Sequence, residues 1–222
     1  MQDHRPARRG DLRPRLSAHR QCGAHAVTDM IELSENAALI IVDMQKAIEA
    51  PYWAAVGPRN NPQAERTLRD LLTRWRASGR PVVIVRHDSR EDASAFRPDT
   101  ATHAFLDGLE PLPGDIVIGK CTNSAFIATD LAEILKKHGI TDVFFAGVKT
   151  NNSVEATVRM SGNLGLRSFL IEDCCFTFAM RDYAGVIRSA QEVHDMALAN
   201  MAGEYCQIVT AQELIFPAER QN

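Results

Sequence analysis

The chain has no run of apolar residues near the roughly 18 that a membrane-spanning helix needs, so a membrane partner is not expected. It has no C-x-x-C pair. Its five cysteines (Cys22, Cys121, Cys174, Cys175 and Cys206) are odd in number and irregularly spaced. That pattern argues against a disulfide framework or a zinc knuckle and makes a reducing cytoplasm the natural setting. An excess of positive charge is also missing. The formal net charge is -3, which gives no case for a nucleic-acid partner. No stretch repeats, and nothing marks a second folded domain.

What is present suits one soluble globular domain. The chain has 222 residues, 45% of them hydrophobic and 24% charged, enough to bury a sizeable core. Residues 1–29 stand apart: they carry Arg5, Arg8, Arg9, Arg13, Arg15 and Arg20 and little apolar content. Arg8-Arg9 lacks the apolar core of an export signal. The tract is expected to be a disordered Arg-rich extension or upstream translated sequence, with Met30 opening the domain proper over 30–222.

Along that domain, short apolar runs alternate with helical patterns. Ala37 to Val42, Pro81 to Arg86, Asp115 to Gly119, Thr141 to Ala146, Arg167 to Ile171 and Gln207 to Val209 read as strands. Gln63 to Ser78, Ser124 to His138, Val154 to Leu164 and a segment opened by the capping box Ser189-Ala190-Gln191-Glu192 read as helices. The alternation predicts an α/β fold: an open, mostly parallel six-stranded sheet with helices on both faces, a Rossmann-like three-layer sandwich. Sites in such folds lie beyond the carboxyl ends of the strands. That rule points to Asp43, His87, Lys120, the turn from Gly147 to Ser153, and Asp173. The long loop from His87 to Gly114, with His103 and Phe105 in it, is expected to form part of the site.

The turn after the fourth strand carries the clearest chemistry. In Phe145-Ala146-Gly147-Val148-Lys149-Thr150-Asn151-Asn152-Ser153-Val154 an apolar strand turns at a glycine and becomes a helix. Ser153 falls at the helix start, where free N–H groups and the positive end of the dipole can hold an oxyanion or activate a nucleophile. A serine there also suits a helix cap. Cys121 is expected on the opposite face of its strand as a core thiol, Cys174 and Cys175 as small buried side chains, and His194 on a helix that packs against a neighbouring subunit.

Three stretches together resemble the isochorismatase-like hydrolases, a superfamily that includes nicotinamidases and N-carbamoylsarcosine amidohydrolase. They are Leu39-Ile40-Ile41-Val42-Asp43-Met44-Gln45, Lys120-Cys121-Thr122-Asn123-Ser124-Ala125-Phe126 and Gly147-Val148-Lys149-Thr150-Asn151-Asn152-Ser153-Val154. The resemblance covers about Ala37 to Ile215. It implies a triad in which Asp43 and Lys120 take the family's Asp and Lys, and Ser153 stands where the family has cysteine. It also implies a cis peptide at Val148–Lys149 and an oxyanion hole made by the backbone N–H groups of Lys149 and Ser153.

The serine matters because a hydroxyl is far less acidic than a thiol and needs a base within hydrogen-bond reach during attack. Three functions stay open. In one, Ser153, native or the product of a Cys-to-Ser exchange, serves in cleavage of a small amide or carbamoyl C–N bond, with Asp43 as base and Lys120 as electrostatic partner. In another, a vinyl ether is hydrolysed without a covalent step and Asp43 is the general acid. In the third, the pocket only binds a small molecule or serves as a scaffold. Gln45, Trp53, His87, Phe105, Asn151 and Asn152 are the candidate substrate contacts, with Tyr52 as a further pocket wall. Nicotinamidases bind zinc through an Asp-x-His spacing; the loop from Pro51 to Pro62 has no Asp or His, so no metal and no cofactor are expected. The resemblance also implies a homodimer or homotetramer.

Overall fold

The computed structural model describes residues 30–217. The expected disordered extension and Cys22 lie outside that range.

Six strands make the central sheet: β1 (Ala37–Val42), β2 (Val82–His87), β3 (Ile116–Lys120), β4 (Asp142–Val148), β5 (Arg167–Phe176) and β6 (Gln207–Val209). Their order is β3-β2-β1-β4-β5-β6, and every pairing is parallel. Four helices flank them: α1 (Ala64–Ala77), α2 (Leu131–Lys137), α3 (Glu155–Asn163) and α4 (Ala190–Met201). Ile31–Glu32 pairs in parallel with Leu214–Ile215, and Met180–Arg181 forms an antiparallel pair with Ile187–Arg188. No helix among the described residues is long and apolar enough to cross a membrane.

The continuous apolar run of β1 follows from burial on both faces. Leu39 and Ile41 face the cluster built with Leu68, Leu71, Leu72 and Trp75 of α1. Ala38, Ile40 and Val42 face the cluster built with Leu131 and Leu135 of α2, Val158 of α3, and Ala197 and Met201 of α4. The α1 residues recur at helical spacing, so one stripe meets the sheet. Burying each such large aliphatic side chain contributes about 1.5–3 kcal/mol relative to leaving it exposed.

The strand order reverses where β1 lies between β2 and β4. Val42, the last residue of β1, is in register with Val85 on one side and Gly147 on the other. A ligand site belongs beyond this point. The close approach of β4 requires glycine: Gly147 has φ +120°, and a Cβ there would sit 2.1 Å from the Val42 carbonyl oxygen.

Two elements differ from the sequence reading. The helix expected from Ser124 begins only at Leu131. Ala128 has φ +54°, outside the helical region. Local side chains take the backbone groups that a helix would use: the Ala125 N–H donates to Thr157 Oγ1 at 3.1 Å, and Thr122 Oγ1 donates to the Ser124 carbonyl at 3.1 Å. The fifth strand runs on to Phe176, past a shift in register: Phe145 pairs with Leu170, but Gly147 pairs with Cys175. Asn61 Nδ2 bridges this irregularity, donating to the carbonyls of Glu172 and Cys175 at 3.0 and 2.8 Å. Asp173 lies on the irregular stretch and accepts from the Ala211 N–H at 2.9 Å, so it serves the turn before the C-terminus rather than the strand-end cluster.

Candidate active site

The positions singled out by the strand-end rule converge except for Asp173. Asp43 follows β1 with φ +55°, a conformation that costs a non-glycine residue energy and recurs at functional sites. Lys120 ends β3. Ser153 lies in a widened turn, Thr150–Val154, between β4 and α3. The peptide between Val148 and Lys149 is cis.

Lys120 joins these elements. Its ammonium donates to Asp43 Oδ2 at 2.7 Å, the Thr122 carbonyl at 3.1 Å, and Ser153 Oγ at 3.3 Å, and its Nζ lies 3.3 Å from His87 Nδ1. The three oxygens take up the three N–H groups of the ammonium, so the His87 contact is an approach of charge to the ring and not a fourth hydrogen bond. Ser153 is the N-cap of neither helical segment: Lys149 precedes the Thr150–Val154 turn and Val154 precedes α3. The cap explanation of the serine therefore fails, and its oxygen is turned to the ammonium.

Burial holds the Asp43 carboxyl above its ordinary range, while the Lys120 ammonium and then the Ser153 hydroxyl pull it back down. No hydrogen bond of good geometry joins Ser153 to Asp43, and Asp43 Oδ1 is buried with no hydrogen-bond partner among the described residues. Burial and the adjacent Lys120 push His87 below its usual value, which keeps the ring neutral at physiological pH.

Above Asp43 and Ser153 opens a cavity of about 490 Å³. Trp53, Tyr52, His87 and Asn152 line it as the sequence suggests, together with Lys149. Trp53 is fixed by its Nε1 donating to the Ala47 carbonyl at 2.9 Å, and its ring stacks on Phe178 at 6.2 Å. The loop after β2 supplies Ser89, Glu91, Ala93, Ser94 and Phe96 as another wall. Its length was the only signal for this; none of these residues carries a motif. Asn123, next to the second motif, also lines the cavity.

Other candidates lie elsewhere. Gln45 is buried beneath the site: its amide donates to the His103 and His87 carbonyls at 2.8 and 3.3 Å and accepts from the His87 N–H at 2.7 Å. It ties the β1 and β2 ends together and does not line the cavity. Phe105 packs against the core behind Gln45. Asn151 turns away, accepting from Thr177 Oγ1 at 2.6 Å. Cys121 is exposed rather than buried, because β3 is an edge strand and the chain leaves the sheet there. Cys174 and Cys175 are buried, and burial pushes both thiols far up, which removes them as nucleophiles. His194 is buried within this chain, its Nδ1 2.9 Å from Thr150 Oγ1, so α4 packs under the Thr150–Val154 turn and this histidine is not on the exposed face of the helix. No group of three His, Cys, Asp or Glu side chains suited to a metal ion occurs among the described residues.

A six-stranded parallel α/β sheet with a buried Asp–Lys pair at its switch point defines the class, and the comparisons with known proteins define the family. The isochorismatase domain model matches residues 37–213. The chain is 38% identical over 183 residues to the isochorismatase family protein YrdC of Bacillus subtilis, covering 82% of this chain and 96% of that one. A crystal structure of an isochorismatase-family protein from Chromobacterium violaceum superposes with TM-score 0.79 at 49% identity, covering 83% of this chain and 94% of that one. The ureidoacrylate amidohydrolase RutB of Azorhizobium caulinodans is 27% identical over 149 residues, covering 67% of this chain and 60% of that one. The chain belongs to the isochorismatase family of hydrolases.

Proposed function

We infer that the protein hydrolyses a small amide or carbamoyl C–N bond, with Ser153 as nucleophile, Asp43 as base and Lys120 as the cation that orients both. The observation that carries this reading is the single ammonium of Lys120 in contact with Asp43 Oδ2 and Ser153 Oγ at once, beside an Asp43 Oδ1 left without a partner. That free oxygen suits the proton that the Ser153 hydroxyl must give up during attack. Ser153 Oγ then adds to the substrate carbonyl carbon, and the backbone N–H groups of Lys149 and Ser153 hold the oxyanion. Collapse breaks the C–N bond, and the amine departs with the proton from Asp43. Water, deprotonated by the same carboxylate, cleaves the acyl-serine ester and regenerates the enzyme. A family relative named an amidohydrolase supports the reaction class.

One observation favours a second reading. Burial raises Asp43 toward the protonated form, which suits a general acid in vinyl-ether hydrolysis with no covalent step. A panel of small amides, ureido acids and vinyl ethers, assayed with the wild-type chain and with Asp43→Asn, tests both readings. Amide turnover that disappears in the variant supports the first; vinyl-ether turnover alone replaces it with the second.

A further inference from the structure

Lys149 enters the proposed reaction only through its backbone N–H, yet its side chain also faces the cavity. The ammonium lies 4.3 Å from the centroid of the Trp53 ring. The chain is half-buried there, and burial alone lowers its pKa from the usual lysine value. No carboxylate stands within 4.0 Å of it among the described residues, whereas Lys120 is paired with Asp43 and Lys46 with Asp107. The Trp53 face offsets part of the cost of half-burying this ammonium, but no acid among the described residues pairs with it, which leaves room for an anion to do so.

The other charges around the cavity do not supply that partner. Asp43 is already committed to Lys120 at 2.7 Å. His87 is neutral at physiological pH, for the reason given above. Glu91, the one other carboxylate of the lining, is exposed to solvent at the rim. Among the described residues the cavity therefore presents one ammonium not paired with a carboxylate, on the same turn as Ser153.

We propose that Lys149 Nζ is a binding site for a carboxylate on the substrate, so that the natural substrate is a small amide or carbamoyl compound that also carries a free carboxylate. The rings of Trp53 and Phe96 enclose the short carbon chain between the two groups. The identification of the scissile bond rests on the amidase reading; the carboxylate site does not.

Succinamate and N-carbamoyl-β-alanine, each compared with its methyl ester, separate the two. Both hydrolysis and calorimetric binding are measured, with the wild-type chain, Lys149→Met and Lys149→Arg. The expected result is a preference for acid over ester of at least tenfold in the wild type, close to unity in Lys149→Met, and largely restored in Lys149→Arg. Circular dichroism of each variant establishes that it is folded. Selective binding of the acids without turnover retains the carboxylate site and removes the amidase reading. Equal binding of acid and ester by the wild type, a preference that persists in folded Lys149→Met, or no binding of either acid at millimolar concentration overturns the proposal.

Discussion

Nζ of Lys120 lies 2.7 Å from Oδ2 of Asp43, and the two side chains are 0% and 5% exposed. A pair so enclosed adds little net stability, because desolvation offsets the attraction, but leaving either charge alone is costly. Lys120→Met, which leaves the buried Asp43 charge alone, is expected to lower unfolding free energy by about 3–5 kcal/mol, and Asp43→Asn by less, because burial already favours the neutral carboxyl. The double variant should lose less than the sum of the two. Urea denaturation of the set measures the coupling; additive losses would mean that the pair is not a unit.

The same carboxylate is expected to set the acid limb of activity. Burial raises the folded pKa of Asp43 above the ordinary 3.8. If Asp43 is the base, kcat/KM rises with pH as the group ionises, with its midpoint above 3.8, and the limb is absent in Asp43→Asn. If it is the general acid, activity falls over that interval. Stability moves oppositely to the base limb: the native state holds this proton more tightly than the unfolded chain. The Asp43 contribution is therefore full below 3.8 and lost as pH rises through the folded value. A pH–rate profile paired with denaturation at the same pH values checks both signs.

The oxygen of Ser153 accepts from the Lys120 ammonium at 3.3 Å. A neighbouring ammonium lowers a thiol's pKa into reach of neutral pH, which it cannot do for a hydroxyl. Ser153→Cys is expected to raise amide turnover by about tenfold or more and to accumulate an acyl adduct visible by intact mass. Ser153→Ala should lose on the order of 10³ in kcat if the serine is covalent. Unchanged turnover in the alanine variant would remove the covalent route.

Much of this arrangement is legible in the residues, for stated reasons. A buried parallel strand must be apolar throughout, so β1 and β4 announce themselves, and Asp43 stands out as the first charge after such a run. Lys120 and Ser153 are 33 residues apart and meet only because the crossovers carry every strand end to one edge. Alternation does not foresee side-chain direction once the backbone leaves the strand. With Asp43 at φ +55°, Gln45 turns under the site instead of into it. Asn151 and Asn152 are equivalent by residue type; the widened turn sends one to Thr177 and the other to the cavity. The wall from Ser89 to Phe96 has no periodic pattern, so its members were not readable. The side chain of Lys149 escaped for another reason: its position already had a backbone role.

The turn that presents Ser153 depends on Gly147. A Cβ on this residue would meet the Val42 carbonyl oxygen at 2.1 Å and the Val42 nitrogen at 2.7 Å, at a φ of +120° that other residues avoid. Both atoms belong to the backbone of β1, one residue before Asp43, so relief requires β4 to part from β1. Gly147→Ala is expected to cost about 3 kcal/mol or more, through overpacking and backbone strain together. Gly165→Ala is the control. That glycine also has positive φ, +82°, but a Cβ there meets nothing within 4 Å, so the cost should be about 1 kcal/mol. Thermal melting of the two variants separates the effects. In Gly147→Ala, activity should fall further than the unfolded fraction explains, because parting the strands also parts Asp43 from Ser153. Equal melting temperatures for the two variants would show that β4 has room to move at the switch point.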